Sequence, residues 1–412
     1  MEVTPEGTPS PSQAFQGLKV LDFCWVAIGP MTTRYFSDFG ATVVRVESVH
    51  RPDVLRQATP YGQGMPGINR SAYYANYNSG KLSLSLNMME SRGRELAVQL
   101  ATWADVITEN YTPGVMERWG LGYEDIQSLN PSVVMFSASM QGRGGPFSSH
   151  PGFGPVLTAL SGHTHMTGWP DRAPTSPYGA YTDFLLPQLA IAAITAALDY
   201  RRRTGIGQHL DMSQLEGSLG FMATALIDFA ANGRIQNRTG NLHPIFAPHS
   251  AYRCKGIDRW CAIACRNEEE WRQLCHVLTR QNLATDPRFY NMELRKRNEM
   301  ALDVEISSCT QHMDASDLMH LCQSAGIPAG VVQNCEDLFA DPQLTFREHY
   351  VFQNHPEIGR HAYDGHAFTL PESPPNYRPA PLLGEHTMQI CRDILGMSEA
   401  DVLKLTDDGV LS

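Results

Sequence analysis

Short apolar runs alternate with helix-like segments through the first half of the chain. Residues 18–22 and 42–47 have the composition of buried strands, and the helix-like segment 31–39 lies between them. Two strands joined through a helix lie parallel in one sheet, because the crossover returns the chain to the end at which the first strand began. The same order recurs with predicted helices over 89–103, 123–129 and 185–203, and predicted strands over 106–109, 133–139 and 208–212. This alternation predicts an α/β fold with a large Rossmann-like domain and a parallel sheet.

The chain has 412 residues, which is more than one ordinary domain holds, and its composition changes near residue 233. The next stretch is rich in Gly, Asn and Pro without periodicity, which indicates a linker. Beyond it, two strand-like runs and three helix-like segments predict a smaller α+β domain. The predicted division is a loose N-terminal arm over 1–14, the large domain over 15–232, a linker over 233–249, the small domain over 250–333, and a C-terminal segment over 334–412 that returns to the large domain.

The formal net charge is −11, which disfavours binding to nucleic acid or to an anionic membrane. We expect no membrane span and no signal peptide, so the predicted location is cytoplasmic. The nine cysteines form no CxxC pair, which predicts reduced thiols and no metal site. His163 and His165 have no third ligand nearby in sequence, and we interpret them as loop or pocket-lining residues.

The segment after the first predicted strand lacks the glycine pattern of a dinucleotide-binding loop. Residues 23–29 read Phe-Cys-Trp-Val-Ala-Ile-Gly, which does not match GxGxxG. The sequence also contains no Walker loop and no GxSxG nucleophile elbow. A nicotinamide-dependent dehydrogenase is therefore disfavoured, and the chemistry has to be sought elsewhere in the chain.

Asp183 stands directly before the most helical-looking stretch of the chain. Residues 185–203 are rich in Ala, Leu and Ile and end in three arginines, and Gly205 follows them. A cationic last turn followed by Gly is typical of a helix C-terminus. A carboxylate at the entrance of such a helix is kept ionised by the helix dipole and is available as a nucleophile. The alternative is an N-cap aspartate, which is common at this position.

An ordered set of segments resembles the family III CoA-transferases, the group that includes the formyl-CoA and carnitine CoA-transferases. The first two predicted strands are similar to the start of the family, and residues 104–123 closely match its central signature. That signature reads Ala-Asp-Val-Ile-Thr-Glu-Asn-Tyr-Thr-Pro-Gly-Val-Met-Glu-Arg-Trp-Gly-Leu-Gly-Tyr here. Further matches follow in the expected order at residues 145–146, 159–162, 183, 202–208, 210–213, 241–244, 270–271, 326–330 and 381–386. The resemblance covers nearly the whole chain.

The resemblance implies a fold, an assembly and a catalytic residue. Members of this family combine a Rossmann-like large domain with a small domain, and two chains thread through each other as interlocked rings. Asp183 is implied to be the catalytic nucleophile, which forms an aspartyl anhydride and then an aspartyl-CoA thioester. Coenzyme A is then a substrate carrier and not a permanently bound cofactor. The implied partners are an acyl-CoA, a small carboxylic acid and a second chain, either identical or related.

The resemblance also implies which residues bind coenzyme A. The segment after the first strand is expected to lie against the nucleotide, and basic residues are expected to bind the phosphates. The implied CoA-binding residues are Val26, Ala27, Ile28, Arg45, Lys81, Asn110, Tyr111 and Arg118. For each basic residue the alternative is a structural salt bridge. Ser48 stands where formyl-CoA transferase has Arg, so Arg51 or Arg56 is expected to make that phosphate contact.

The acceptor acid is inferred from one branch of the family. Residues 51–56, 69–73 and 247–249 are most similar to the branch that includes benzylsuccinate CoA-transferases. This implies succinyl-CoA as the donor and an aryl-substituted dicarboxylate, such as 2-benzylsuccinate, as the acceptor. Such an acceptor needs an aromatic pocket and a cation for its second carboxylate. We predict that His163, His165, Trp169 and Arg172 supply them; the alternative is that this segment packs at a domain edge.

Two other functions use the same fold. A 2-methylacyl-CoA racemase needs a His–Asp pair to remove and return a proton at the α carbon. Phe153 stands where that His is expected, and His150 is out of register. A non-catalytic subunit of a heteromeric transferase needs no nucleophile, whereas this chain retains Asp183. The sequence therefore favours an active CoA-transferase.

Overall fold

The computed structural model describes residues 13–412, so all but the last two residues of the predicted N-terminal arm lie outside the described residues. The described chain divides into two compact units. The first runs to His163 and continues over Pro177–Gly233 and Phe346–Ser412. The second comprises Thr164–Ser176 and Arg234–Thr345. The C-terminal segment from Phe346 onward therefore belongs to the first unit.

A six-stranded parallel sheet forms the centre of the first unit. Its strands are β1 (Lys19–Asp22), β2 (Thr42–Glu47), β3 (Leu82–Ser85), β4 (Val106–Glu109), β5 (Val134–Ser139) and β6 (Gln208–Ser213). Their order across the sheet is β3–β2–β1–β4–β5–β6, so the direction of winding reverses between β1 and β4. Ligands of open α/β sheets bind beside the carboxyl ends of the strands at such a reversal. The prediction of an α/β fold with a parallel sheet is confirmed.

The first unit contains helices that range from 4 to 18 residues in length. They are α1 (Ile28–Asp38), α2 (Ala72–Tyr77), α3 (Ser91–Trp103), α4 (Val115–Arg118), α5 (Tyr123–Leu129), α6 (Gly154–Leu160), α8 (Tyr181–Leu185), α9 (Pro187–Thr204), α10 (Gln214–Leu219), α11 (Ala223–Asn232), α18 (Thr387–Asp393) and α19 (Glu399–Asp407), and α7 (His163–Met166) starts at its edge. Short 3₁₀ turns lie at Val54–Gln57, Gly62–Gly64 and Gly220–Met222. An antiparallel hairpin, β10 (Tyr350–His355) with β11 (Gly359–Asp364), completes the unit.

The alternation of side chains along each strand divides the core into two layers. On one face, Val20 and Val134 pack with Phe36 of α1 and Ile194 of α9. On the other face, strands β1, β2, β4 and β5 contribute Leu21, Val44, Ile107 and Met135. These side chains pack in one cluster with residues of α3, Ile390 of α18 and Val402 of α19. Parallel sheets are buried on both faces in this way, which is why their strands read as nearly continuous apolar runs.

The second unit has its own smaller core. An antiparallel sheet of β7 (His249–Arg253), β8 (Trp260–Ala264) and β9 (Ala329–Val331) packs with helices α12 (Glu268–Val277), α13 (Met292–Arg297), α14 (Glu299–Thr310) and α15 (Ala315–Ser324). The unit also contains α16 (Cys335–Phe339), a 3₁₀ turn at Gln281–Thr285 and most of α17 (Pro342–Phe346). Trp271, Leu302 and Leu318 lie in the centre of its core. This is the smaller α+β element that the sequence predicts.

One helical stretch bears on the expected absence of a membrane span. Tyr181–Thr204 is long and apolar enough to cross a membrane by length and composition alone. A single such helix is weak evidence, because a core helix of a globular domain satisfies the same test. Ala190, Ile194 and Ala197 of α9 are buried against the parallel sheet, so we interpret the stretch as a core helix.

Candidate active site

A cleft lies at the carboxyl ends of β1, β4, β5 and β6 in the first unit. Its volume is about 240 Å³. It is lined by Trp25, Val26, Ala27, Ile28, Asn110, Tyr111, Thr112, Pro113, Ser139, Met140, Ser148, His150, Pro151, Gly152, Phe153, Gly154, Leu157, Asp183 and Gln214. The cleft thus brings the predicted nucleophile together with five of the eight predicted CoA-binding residues.

Asp183 lies in the first turn of α8, which is a short helix separate from α9. The N-cap of α8 is Ala180 and that of α9 is Leu186, so the interpretation of Asp183 as an N-cap residue is wrong. Pro187 starts α9 because its ring fixes a helical φ and it has no N–H to leave unpaired. Asp183 is 8% exposed, and no described side chain forms an ion pair with its carboxylate. Burial therefore raises the pKa of Asp183 to about 6.

Gly154 makes room for the Asp183 carboxylate. A Cβ atom added at Gly154 would lie 2.6 Å from Oδ2 of Asp183 and 2.3 Å from the Cβ of Ala180. Both distances are shorter than real contacts of a Cβ atom, so any side chain at this position would displace the carboxylate or the start of α8. Gly154 also begins α6 directly after Phe153, an aromatic residue that is exposed on the cleft wall.

Ser139 and Gln214 are two of the polar side chains that share the cleft with Asp183. Ser139 ends β5, and its buried Oγ has no hydrogen-bond partner among the described residues. Gln214 follows β6, and its Nε2 donates a hydrogen bond to the carbonyl of Ala138 (3.3 Å). A buried hydroxyl without a partner in a ligand cleft is a donor available to a bound molecule, since nearly all other buried polar groups in proteins are paired. The Ser139 hydroxyl is thus placed to bind an oxygen atom of a ligand.

The loop Trp25–Ile28 forms the wall of the cleft after β1. Asn110 fixes this loop with two reciprocal hydrogen bonds: its Oδ1 accepts from the Trp25 N–H (2.8 Å), and its Nδ2 donates to the Trp25 carbonyl (2.7 Å). Tyr111 packs edge-to-face on the Trp25 ring, with a centroid distance of 6.0 Å. The guanidinium of Arg51 lies over the same ring at 5.4 Å. The result is an aromatic platform with an exposed cation beside it.

A network of buried charges lies beneath this loop. Its members are Asp22, Arg45, Glu47, Asp53, Arg56 and Lys81, all with fully buried side chains. The shortest ion-pair distances are 2.5 Å for Arg45–Asp53, 2.8 Å for Arg56–Glu47 and 3.0 Å for Lys81–Asp22. Burial alone would raise the pKa of Asp22 and of Glu47, but the neighbouring cations hold each at about 2. Asp22 and Glu47 therefore stay ionised and paired with these cations at neutral pH.

The predicted CoA-binding residues fall into two groups. Val26, Ala27, Ile28, Asn110 and Tyr111 line the cleft. Arg45 and Lys81 belong instead to the buried network, where their donors are directed to protein oxygens such as the Cys24 carbonyl (2.7 Å from Arg45 Nη1). Arg118 is exposed at the end of α4, outside the cleft lining. Arg56 is bound to Glu47, whereas Arg51 is exposed. The assignment of these residues to CoA stays a prediction.

The predicted acceptor residues are divided between the two structural units. His163 is buried in the first unit, where its Nδ1 lies 2.9 Å from the Ser161 hydroxyl. His165, Trp169 and Arg172 belong to the second unit. There His165 lies 3.1 Å from Asn237, Trp169 packs on Gly240, and the Arg172 carbonyl accepts a hydrogen bond from Arg238 (3.0 Å). Their role in substrate binding stays a prediction.

Sequence reasoning missed several residues of the cleft. Trp25, Ser139, Gly154 and Gln214 were not identified as site residues. Trp25, Ser139 and Gln214 each stand at or just beyond the carboxyl end of a strand, which is the signal that would have found them. Gly154 has no such signal, because its importance comes from a close approach to α8 that depends on the folded structure. Among the described residues, no group of three His, Cys, Asp or Glu side chains is arranged to hold a metal ion.

The fold and the cleft together define a Rossmann-like α/β protein whose cleft contains a buried aspartate without an ion-pair partner among the described residues. The sequence model of CoA-transferase family III matches residues 15–387. The chain therefore belongs to CoA-transferase family III, and the resemblance noted from its motifs is confirmed. Proteins of this family are CoA-transferases that work with CoA thioesters and carboxylic acids.

Relatives with assigned activities match along nearly the whole chain. The succinyl-CoA:glutarate CoA-transferase of Mus musculus is 30% identical over 99% of this chain and 92% of its own length. The succinyl-CoA–D-citramalate CoA-transferase of Chloroflexus aurantiacus is 29% identical over 96% of this chain and 97% of its own. A probable CoA-transferase of Mycobacterium tuberculosis is 32% identical over 99% of this chain, but the chain spans only 52% of that longer protein.

Solved structures agree with this assignment. A CaiB/BaiF family protein from Brucella suis superposes with a TM-score of 0.86 at 29% identity, and the match covers 93% of this chain and all of that one. A protein from Mycobacterium tuberculosis matches with a TM-score of 0.78 at 24% identity over 92% of this chain and 99% of its own, which supports the fold alone.

Proposed function

We propose that this enzyme moves coenzyme A from succinyl-CoA to a carboxylic acid through covalent intermediates on Asp183. The observation that carries the proposal is the carboxylate itself, which is buried, free of ion-pair partners among the described residues and on the wall of the cleft. A carboxylate without a bound cation keeps its electron pairs available for attack on a carbonyl carbon. The succinyl-CoA donor is supported by the relatives that use it.

The reaction requires four exchanges between oxygen and sulfur at carbonyl carbons. An Asp183 oxygen attacks the thioester carbonyl of succinyl-CoA, the C–S bond breaks, and an aspartyl–succinyl anhydride and CoA thiolate result. The thiolate attacks the aspartyl carbonyl, which releases succinate and leaves an aspartyl-CoA thioester. The acceptor carboxylate attacks this thioester, and thiolate leaves again. The thiolate then attacks the acceptor carbonyl of the new anhydride, which releases the acyl-CoA product and the Asp183 carboxylate.

No step of this sequence transfers a proton, so the mechanism needs no general acid or base. Each tetrahedral intermediate instead places a negative charge on a carbonyl oxygen and needs hydrogen-bond donors. The Ser139 hydroxyl is proposed as such a donor, because it lines the same cleft and has no hydrogen-bond partner among the described residues. Burial of Asp183 also limits the access of water, which would otherwise hydrolyse the anhydride.

The racemase remains the second candidate because of one observation. His150 lines the cleft together with Asp183, although it is out of register in the sequence. A racemase would use the two groups as an acid–base pair. Incubation with a chiral 2-methylacyl-CoA in deuterated water distinguishes the functions: we expect no α-deuterium at a catalytic rate, and rapid exchange without an acceptor acid would favour the racemase.

For the acceptor we propose a dicarboxylic acid, and in particular an aryl-substituted succinate such as 2-benzylsuccinate. Glutarate and citramalate, named in the activities of the relatives, support a dicarboxylate. The branch resemblance and the exposed Phe153 on the cleft wall support an aromatic substituent. His163, His165, Trp169 and Arg172 are proposed to supply the remaining contacts.

We expect the enzyme to form thioesters of dicarboxylates when it is given succinyl-CoA and a panel of acids. The panel contains glutarate, D-citramalate, mesaconate, 2-benzylsuccinate, formate and carnitine, and mass spectrometry measures each CoA thioester. Heat-treated enzyme is the control for spontaneous acyl exchange. Turnover of formate or carnitine without turnover of any aryl dicarboxylate would refute the acceptor proposal and leave the transferase class intact.

We propose that the functional enzyme is an interlocked dimer, formed with itself or with a related subunit. Helix α11 supports a partner chain, because none of its residues is buried. Two of its large apolar side chains, Ile227 and Phe229, are 65% and 58% exposed. Ile227→Glu is expected to reduce the yield of folded dimer in native mass spectrometry. Met300→Glu, which changes an exposed methionine on α14, is the matched control and should have no such effect. A stable, active monomer would contradict the proposal.

A further inference from the structure

Val26 has an unusual backbone conformation in the cleft wall. Its φ of 64° lies in the left-handed region, whereas its neighbour Ala27 has a φ of −108°. A β-branched residue seldom adopts a positive φ, because Cβ then crowds the backbone. Such a conformation persists only where the surrounding structure imposes it, and it is concentrated at ligand sites. The residue that imposes it on Val26 is therefore of functional interest.

The carboxylate of Asp53 binds the backbone of Val26. The Val26 N–H donates to both oxygens of Asp53, at 3.1 Å to Oδ2 and 3.3 Å to Oδ1. The other contacts of Asp53 fix its orientation: the Leu55 N–H donates to Oδ1 (2.9 Å), and Nη2 of Arg45 donates to Oδ2 (2.5 Å). Asp53 is completely buried, so water does not compete for these hydrogen bonds.

Asn110 is the second side chain that binds the backbone of this loop. Asn110 holds the peptide groups on both sides of Trp25, as described above, and Asp53 holds the next N–H along the chain. Asn110 and Asp53 thus bind the carbonyl and the N–H of one peptide group, Trp25–Val26, and the segment Trp25–Ile28 lines the cleft with Asp183. Arg45 contributes indirectly, because its guanidinium orients Asp53 and also donates to the Cys24 carbonyl (2.7 Å) just before the loop.

We propose that Asp53 is a positioning residue that holds Val26 in the left-handed conformation and thereby shapes the Trp25–Ile28 wall for the nucleotide part of coenzyme A. This inference rests on the proposed function, since it takes coenzyme A as the ligand of the cleft. It explains why a carboxylate is needed at position 53. Donors surround both oxygens, so the amide nitrogen of an Asn would face an N–H or guanidinium group whichever way it turned.

The test combines Asp53→Asn with a change at the strained position. Asp53→Asn is expected to weaken CoA binding about ten-fold by isothermal titration calorimetry and to raise KM for acyl-CoA by a similar factor, with kcat changed less than three-fold. Val26→Gly in the Asp53→Asn background should restore binding to within about three-fold of the Val26→Gly single variant, because glycine adopts a positive φ without steric cost. Ala27→Gly in the same background is the matched control and should restore nothing.

The outcomes separate the inference from the proposed function. If the unmodified enzyme does not bind coenzyme A, the proposed function fails. If it binds and Asp53→Asn binds equally well, the inference fails while the function stands. If both glycine variants restore binding equally, or neither does, Asp53 supports the fold without acting through Val26, and the inference is overturned. Thermal unfolding of every variant shows which losses of binding come from a loss of folded protein.

Discussion

Replacing Asp183 with Asn is expected to reduce CoA-transferase turnover by a factor of about 10⁴ or more, because an amide cannot form the anhydride and thioester intermediates. The same change is expected to stabilise the folded protein at neutral and alkaline pH. Burial raises the pKa of Asp183 from 3.8 to about 6, so the folded state holds an ionised carboxylate at a cost of about 2–3 kcal/mol at pH 8. Asn has nearly the same shape and no charge, and it removes this cost.

The pH dependence of the stability shows whether the ionised carboxylate of Asp183 causes the difference between the two proteins. Because the folded-state pKa of Asp183 is raised, protonation favours the folded state, and stability declines as the pH rises from about 4 through 6. The difference in Tm between Asp183→Asn and the unmodified enzyme should therefore be large at pH 8 and small at pH 4. The kcat/KM of the unmodified enzyme should fall below pH 6 as the nucleophile is protonated. An Asn variant with near-normal turnover would refute the covalent mechanism.

The intermediate itself can be trapped. Incubation with succinyl-CoA and hydroxylamine should convert the carboxylate of Asp183 to a hydroxamate, which peptide mass spectrometry locates. Asp303 is a matched control, because burial also raises its pKa but it lies in the second unit and bonds to the Tyr252 hydroxyl (2.6 Å). Asp303→Asn should retain turnover and still be labelled at Asp183. Labelling of several carboxylates at equal rates would indicate non-specific chemistry.

The sequence predicted the central sheet well because its strands are buried on both faces. The predicted strands at 42–47 and 106–109 coincide with the observed β2 and β4, which are rich in Val and Ile. Strand β3 (Leu82–Ser85) was missed although Leu and Ser alternate along it, because it has only four residues and directly follows a turn-like segment at residues 78–81. The start of α9 was placed at residue 185, before Pro187. Leu186 has helical φ and ψ, but Pro187 has no N–H to continue the hydrogen bonds of α8, so the two helices are separate.

The candidate site was predicted less completely because its contacts depend on tertiary structure. Asp183 was singled out because it precedes a long helix in the sequence, and its predicted role as nucleophile came from the family resemblance. The sequence alone does not show whether a basic residue binds a ligand or forms an ion pair with a carboxylate of the protein. Arg45 pairs with Asp53 eight residues later and approaches Asp22 on the neighbouring strand, and only the parallel register of β1 and β2 brings Asp22 opposite Arg45. Sequence spacing does not encode that approach.

Arg45 and Arg51 should therefore respond to the same substitution in opposite ways. Arg45→Met removes the cation that neutralises Asp53 and assists Asp22 and Glu47, and leaves buried carboxylates with incomplete compensation. Loss of one partner from a buried ion pair costs about 3–5 kcal/mol, so a large decrease in the free energy of unfolding is expected from chemical denaturation. Any loss of CoA affinity in this variant should follow from that loss of structure.

Arg51→Met is the matched change at an exposed cation beside the Trp25 ring. A surface substitution of this kind usually alters stability by less than about 0.5 kcal/mol. Ser48 stands where formyl-CoA transferase has an arginine, and Arg51 is the candidate to bind that phosphate of coenzyme A instead. If it does, Arg51→Met should raise the Kd for CoA about ten-fold. The salt dependence of binding should weaken, because one charge-assisted contact is lost. Calorimetry at two ionic strengths measures both effects. The opposite pattern would be an Arg45→Met variant with unchanged stability and reduced CoA affinity, and an Arg51→Met variant that binds CoA as before. That result would assign the phosphate contact to Arg45, whose buried ion pairs would then have to open when coenzyme A binds.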